Sequence, residues 1–425
     1  PTYVREGFNK NADVYSIVIQ QSTKTQSVPF MVKQIDDLQA KSKRDAILKA
    51  CNYNPTIQQK VQLNRLEKKA FSEGAMSLPL DRPNELQTWE EMWGLYKVFM
   101  MLTGNCYFYM LRPIDGLNAG VPRQLYVLPA QFMNIVLRPD ADMLGVESPI
   151  AGYTLIEGKN FIEFRADEII HVKFANPNFD LNGQHLYGFS PIRAALNNLE
   201  TSNEAQSLNL KTLKSGGAFG LIHGKSQLPL TPQQAEEIKR RLVEMDNSPE
   251  RLAKMAGVSA EIGFQRLSLT SEELRPFDFL SFDQKQIANV LRWDIRLLND
   301  EDALTENNFQ QSRRRVITDN IQPDLNLLCA AMNQWFLPLF PGFQNSVLEF
   351  DTSQLPEMQE DINQLSQWLY NGQDRGDYTR NEVREALGFA RVEVPEMDVF
   401  TVNMNTISLE EALSPESFMN EPETT

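Results

Sequence analysis

The sequence predicts an α+β protein built around unusually long, polar helices. Three observations carry that reading. Between Cys106 and Phe174, apolar runs of strand length recur between Pro, Gly and Asp turns. Two stretches, about 189–215 and 277–298, keep helical spacing of their apolar residues over lengths well beyond an ordinary globular helix. At 425 residues, with 42% hydrophobic and 23% charged residues, the chain has a globular composition and room for about three compact units.

Taken in order, residues 14–35 read as a helix or a pair of strands, divided by the polar stretch 21–26. Residues 36–75, rich in Lys, Asp and Gln, read as a surface-wrapping segment. Thr88 can N-cap a helix over 89–103, because Glu91 stands at capping-box spacing. Trp89, Met92, Trp93, Tyr96, Phe99 and Met100 would then share a core face. Gly104-Asn105 breaks that helix, and strands are expected over 106–111, 125–128, 132–137, 153–156 and 168–174. Pro191 suits the first turn of a long helix to Lys214, and Gly216-Gly217 ends it. A strand over 219–223, a helix over 231–245, and further loop and strand to 269 lead to the second long helix, 277–298. An acidic loop, 299–307, precedes a third helix over 309–337 that Pro323 should bend or divide. A strand over 346–350 and helices over 358–370 and 381–387 lead to an acidic tail.

The two long helices pose a physical problem. A helix that is polar nearly all round does not fold for its own sake, so these need water on one side and other polar helices on the other. The net charge of −15 argues against a surface built to clamp phosphates. Cys51, Cys106 and Cys329 are too few and too scattered for a disulfide framework or a CxxC metal site, which fits a reducing cytoplasm. The longest apolar stretch, 98–102, is far too short to span a membrane.

Chemistry-bearing motifs are sparse. His171, His185 and His223 form no metal-ligand pair and read as satisfied or solvent-facing, and no phosphate loop, GxGxxG or GxSxG is present. Asp300, Glu301, Asp302 and Glu306 could hold a divalent cation, but adjacent carboxylates in a loop splay apart, so a solvated loop is the stronger reading. No metal and no cofactor are expected. Arg313, Arg314 and Arg315 would point three ways around a helix, as inter-helix or inter-subunit ion pairs rather than a nucleic-acid patch.

A succession of short motifs resembles the portal proteins of tailed bacteriophages. It runs from Arg82-Pro83-Asn84 through Leu102-Thr103-Gly104-Asn105-Cys106-Tyr107, Leu128-Pro129, Glu168-Ile169-Ile170-His171-Val172 and Leu186-Tyr187-Gly188-Phe189-Ser190-Pro191-Ile192. Ile287-Ala288, the helix start at 309–315, Pro323, Phe350-Asp351 and Thr379-Arg380-Asn381-Glu382-Val383-Arg384 continue it. The specificity lies in the co-linear order over roughly 80–390. Where the family commonly has a Pro-rich segment after the second long helix, this chain has Arg296-Leu297-Leu298-Asn299-Asp300-Glu301.

The resemblance implies a non-enzymatic ring, usually of twelve subunits, at one capsid vertex of a virion, assembled in the host cytoplasm. Double-stranded DNA would pass through its lumen in packaging and ejection. An α/β wing (1–188 and 309–355), stem helices (189–215 and 271–298), a small strand-helix-strand clip (216–270) and a helical C-terminal crown (356–425) are the expected parts. The implied tunnel loop, 299–308, carries Asn299, Asp300, Glu301, Asp302, Thr305, Glu306 and Asn307, with Arg313, Arg314 and Arg315 as subunit-interface candidates. The implied partners are further copies of the chain, a large terminase ATPase, the major capsid or scaffold protein and a head-tail adaptor, with no membrane. The alternative is a metal-dependent phosphodiester-cleaving enzyme built on Asp300, Glu301 and Asp302.

Overall fold

The computed structural model describes residues 3–51, 55–72, 74, 76–113, 115–116, 118–138, 148–180, 183–215, 220–224, 233, 236, 240, 262–266, 276–298, 306–358, 362–387 and 389–400. Two compact units emerge, Pro1–Gln34 with Ala75–Phe350, and Ile35–Gly74 with Asp351–Thr425. Residues 35–74, which the sequence reading kept with the N-terminal part, thus pack with the C-terminal segment.

A π-helical segment (Tyr3–Phe8) precedes α1 (Ala12–Gln26), whose N-cap Asn11 accepts from the amides of Asp13 and Val14. Helix α1, followed by β1 (Phe30–Gln34), settles the choice left open for 14–35. The segment read as surface-wrapping forms helices α2 (Leu38–Ala50) and α3 (Ile57–Ala70) of the second unit, with few buried residues among those described. Helix α4 (Trp89–Thr103) begins at the expected capping box: the Thr88 hydroxyl accepts from the Glu91 amide, and the Glu91 carboxylate accepts from the Thr88 amide. It packs along α1, and its buried face, including Met92, Trp93, Tyr96 and Met100, forms the centre of the core.

Strands β2 (Asn105–Leu111), β3 (Gln124–Leu128), β4 (Met133–Leu137), β5 (Ile150–Glu157), β6 (Asn160–Arg165) and β7 (Ile169–Lys173) make two antiparallel three-stranded sheets, ordered β3-β2-β7 and β4-β5-β6. Strand β6 was not expected. It is almost wholly exposed, so it lacks the apolar alternation that marks a half-buried strand.

The first long helix is divided at Ala195 into α5 (Pro191–Ala194) and α6 (Leu196–Ser215), with Pro191 in the first turn as expected. Strands β8 (Gly220–Gly224) and β9 (Ile262–Arg266) pair antiparallel. Most of the expected helix 231–245 between them lies outside the described residues.

The second long helix, α7 (Pro276–Val290), stops eight residues short of the expected end. The stop is a Schellman motif: Arg292 takes the left-handed conformation at φ 54°, its amide reaches Asn289 O at 3.0 Å, and the Trp293 amide reaches Ala288 O at 2.8 Å. Glycine usually fills that position, so the composition gave no stop signal.

The third long helix runs as α8 (Glu306–Val316), a π-helical turn (Ile317–Ile321), α9 (Gln322–Ala331) and a second π-helical turn (Met332–Phe336). Pro323 lacks an amide proton and crowds the carbonyl one turn back, and the widened turn just upstream accommodates it. Strand β10 (Ser346–Phe350) then pairs antiparallel with β1, closing the first unit beside an aromatic cluster in which Trp93 lies 5.2 Å from Trp89 and 5.7 Å from Phe350.

In the second unit, α2 and α3 are joined by α10 (Ile362–Asp374) and α11 (Arg380–Ala386). Charge helps to pair these distant segments. Residues 35–74 carry eight basic and five acidic residues, whereas 351–425 carry four basic and sixteen acidic, a net of +3 against −12. Arg65 Nη2 meets Glu382 Oε1 at 2.8 Å, and Lys68 Nζ meets Glu385 Oε2 at 3.2 Å.

Candidate functional site at the roots of the long helices

Two polar knots in the first unit fix the near ends of the α5/α6 and α7 segments. In the first, the C-cap of α4, the end of β7 and residues 188–190 come into backbone contact. Gly104 and Gly188 permit it. A Cβ at Gly188 would stand 1.9 Å from Gly104 O, and one at Gly104, held at φ 73°, would stand 2.3 Å from Phe189 O. The Phe174 amide donates to Gly104 O at 2.9 Å, so β7 is tied to the same point.

Asn105 fastens the knot. Its Nδ2 donates to Thr103 O (2.8 Å) and Gly188 O (3.2 Å), while its Oδ1 accepts from the Gly188 amide (2.6 Å) and faces His171 Nε2 at 3.0 Å. Carbonyls only accept, so these contacts fix the amide's orientation, and His171 Nε2 must carry the proton. The imidazole stacks on Tyr107 at 4.3 Å. Burial, with a smaller push from Lys173, lowers the His171 pKa to about 3, which keeps the ring neutral at physiological pH. Ser190 Oγ donates to Leu102 O at 2.7 Å, and Lys173 Nζ donates to Leu186 O at 2.6 Å. The chain therefore enters Pro191 from a fixed platform.

The second knot holds the far root. Lys97, fully buried on α4, donates to Asp324 Oδ2 at 2.5 Å and to Asn320 Oδ1 at 2.6 Å. Arg292 Nη2 lies 2.9 Å from both Asp324 oxygens. Asn320 Nδ2 donates to Arg292 O (3.0 Å) and Gln21 Nε2 to Leu291 O (2.8 Å), satisfying carbonyls at the end of α7. The Tyr96 hydroxyl donates to Asp324 O at 2.8 Å. Burial draws the Lys97 pKa down to about 8, with Asp324 opposing it. The left-handed backbone at Arg292 thus coincides with a side chain that pairs with Asp324.

Of the acidic-loop residues, Asn299, Asp300, Glu301, Asp302 and Thr305 lie outside the described residues, and Glu306 and Asn307 open α8. The arginine run has local partners: Arg313 lies over the Phe309 ring at 4.4 Å, and Arg315 Nε pairs with Asp319 at 3.2 Å, while Arg314 is half-buried. His171 and His185 are satisfied as expected, the latter with Nδ1 at 3.2 Å from Asp180 O. Among the described residues, no group of three or more His, Cys, Asp or Glu could hold a metal ion, and no helix is long and apolar enough to cross a membrane. Sequence reasoning missed the Lys97–Asp324–Arg292 knot. The available signal was a lysine set in the apolar stripe of α4, between Trp93 and Met101.

Buried polar contacts within the first unit thus grip both roots of the helix pair. The chain belongs to the phage portal protein family, whose model matches residues 57–388, and with that membership goes a portal role in a capsid-like particle. Two curated relatives are uncharacterized proteins. One, from Rickettsia felis, is 22% identical over 317 residues, 73% of this chain and 76% of its own length. The other, from Rickettsia bellii, is 21% identical over 321 residues, 74% and 77% respectively. Among solved structures, the fold is similar to a chain in the neck of an empty gene transfer agent particle computed with C6 symmetry, with a TM-score of 0.60 and 21% identity. It is similar also to a chain in the neck of the native particle computed with C12 symmetry, with a TM-score of 0.59 and 20% identity. Each match covers 92% of this chain and 93% of the other.

Proposed function

We propose that the chain assembles head to tail into a closed ring of twelve copies at one vertex of a virion-like particle, and that double-stranded DNA passes through its lumen during packaging and ejection. The observation that carries this reading is α6. From Asn203 to Leu210 none of its residues is fully buried, and Leu208 and Leu210 are exposed, so its packing along α7 within the chain leaves apolar surface for other copies to cover. Neighbouring copies around a ring cover it, and heterologous contacts that close avoid open filaments. Portal-family membership and the symmetric necks that hold similar folds support the same assembly.

In this reading α5/α6 and α7 are the stem, the β8–β9 pair belongs to the clip that receives a large terminase ATPase and later a head-tail adaptor, and the loop 299–308 lines the narrowest part of the lumen. The capsid or scaffold protein surrounds the wing, and the ATPase supplies the energy for packaging. Asp300, Glu301, Asp302 and Glu306 form a collar that repels phosphate, so the DNA slides without the counterion-release binding that a basic surface would produce. Mass photometry and negative-stain imaging of the assembled protein test the reading. Twelve copies of 48.6 kDa give rings of about 580 kDa. Only monomers or dimers in particle-derived material would overturn it.

A further inference from the structure

Helices α6 and α7 meet along a polar seam. Asn198 Nδ2 donates to Asp283 Oδ1 at 2.8 Å, and Asp283 is only 4% exposed. Each helix is also tied to the body: Asn203 on α6 donates to Glu6 O at 2.9 Å, and Gln284 on α7 donates to Asp13 Oδ1 at 3.0 Å. What stays open on each helix is a stripe at helical spacing. On α6 it holds Glu200, Thr201 and Glu204, and on α7 Phe282, Lys285 and Asn289.

The seam fixes where these stripes point. An α-helix turns about 100° per residue, so two residues turn it about 200°. Glu200 stands two residues beyond Asn198, and Lys285 two beyond Asp283, so Glu200 points away from α7 and Lys285 away from α6. Both are exposed, and neither has an ion-pair or hydrogen-bond partner among the described residues. The helix pair therefore shows carboxylates on one flank and an ammonium on the other. A two-fold contact through either flank would set like charges together, whereas a head-to-tail contact joins opposite ones.

Height along the helices supplies a second match. Rotation about a ring axis leaves every residue at its own height. Helix α6 leaves the body and α7 returns to it, so at about 1.5 Å per residue Glu200 stands about 3 Å beyond the seam contact and Lys285 about 3 Å short of it. Two such side chains span that difference. Glu204 lies about 6 Å farther out. Phe282, 55% exposed, stands on the outer side of the contact, level with the turn that carries Glu200.

We infer that Lys285 of one copy pairs with Glu200 of the next around the ring, and that Phe282 seats on the neighbour's α6 beside it. The inference rests on the ring reading above, in which the stem helices run along the axis, and it names the two flanks that meet.

Charge swapping in the full chain tests it. Both side chains are exposed, so Lys285→Glu and Glu200→Lys should each keep the monomer's thermal midpoint. Each sets like charges at every junction of the ring and should raise the concentration needed for assembly by about tenfold, read by mass photometry. The double variant should assemble as the wild type does. An equal mixture of the two single variants should assemble as well, because copies that alternate around an even-numbered ring place opposite charges at every junction, and a pairing inside one chain gives no such rescue. Single variants that assemble like the wild type would overturn the inference and leave the ring reading standing. Impaired variants whose mixture fails to assemble would do the same. Normal assembly with altered DNA affinity would also overturn it, by placing these charges in the lumen. A wild-type chain that never forms rings would overturn both readings.

Discussion

His171 makes the first knot sensitive to acid, and the size of the effect follows from its surroundings. In the unfolded chain an imidazole titrates near pH 6.5, whereas in the knot it accepts a proton only near pH 3, because burial disfavours the cation. Its Nε2 proton is already committed to Asn105 Oδ1, and its other face lies on Tyr107. Between pH 6.5 and 3 the unfolded state binds a proton that the folded state refuses, so this contribution is full above pH 6.5 and is lost as the pH falls toward 3. At pH 5 the linkage relation gives a loss of about 2 kcal/mol relative to pH 7.5, and the partly accessible ring edge trims it to about 1–2 kcal/mol. Asp167, held down to about 2 by Arg165 and Arg112, titrates below this window, and Lys97 above it. Denaturant unfolding of wild type and His171→Gln at both pH values isolates the effect, since carboxylates common to the two cancel. The wild type should lose about 1–2 kcal/mol more than the variant between pH 7.5 and 5.0. Equal losses would mean that His171 does not stay neutral in the knot, with its Nδ1 protonated as well as its Nε2.

Gly188→Ala forces a methyl group against Gly104 O and should cost about 3 kcal/mol or more in thermal unfolding; a change near zero would mean that the backbones do not meet there. Asp324→Asn leaves Lys97 buried without its counter-charge and should cost about 3–5 kcal/mol, whereas Lys97→Met combined with Asp324→Leu should recover most of it; denaturant midpoints of the three proteins decide between these outcomes. Replacing Asp300, Glu301 and Asp302 together with lysine should leave ring assembly intact and make DNA binding both stronger and steeply salt-dependent, read in a salt titration. A variant that assembles but binds DNA no better at low salt would remove the loop from the lumen.

What was legible in the sequence follows local chemistry. The Thr88–Glu91 capping box, Gly104 as a helix stop and Pro191 as a helix start each act through neighbours a few residues away, and each was readable. The end of α7 was not, because its left-handed position is filled by Arg292, whose value lies in reaching Asp324, 32 residues downstream. Strand β6 escaped because an edge with little to bury carries no alternation. The partnership of 35–74 with the C-terminal segment depends on pairs such as Arg65–Glu382, 317 residues apart, which no local pattern encodes. The first knot sits in between. Gly104, Asn105, His171, Gly188 and Ser190 all lie in the portal-like motifs, but only the fold brings the three segments into one network.

The charge distribution narrows what the acidic composition can explain. Of the net −15, residues 351–425 carry −12 and residues 35–74 return +3, so the first unit holds −6. An average over the whole chain therefore overstates the negative charge available to a lumen built from the first unit. The loop is a separate matter, because Asp300, Glu301, Asp302 and Glu306 concentrate four carboxylates within seven residues. Charges act over about 8 Å at physiological salt, so such a cluster acts on passing DNA only where it lies within that distance of the phosphates. The slippery-collar reading thus stands on the placement of one short segment, anchored on its N-terminal side by Arg292 and on its C-terminal side by α8. The acidity of the protein at large adds nothing to it.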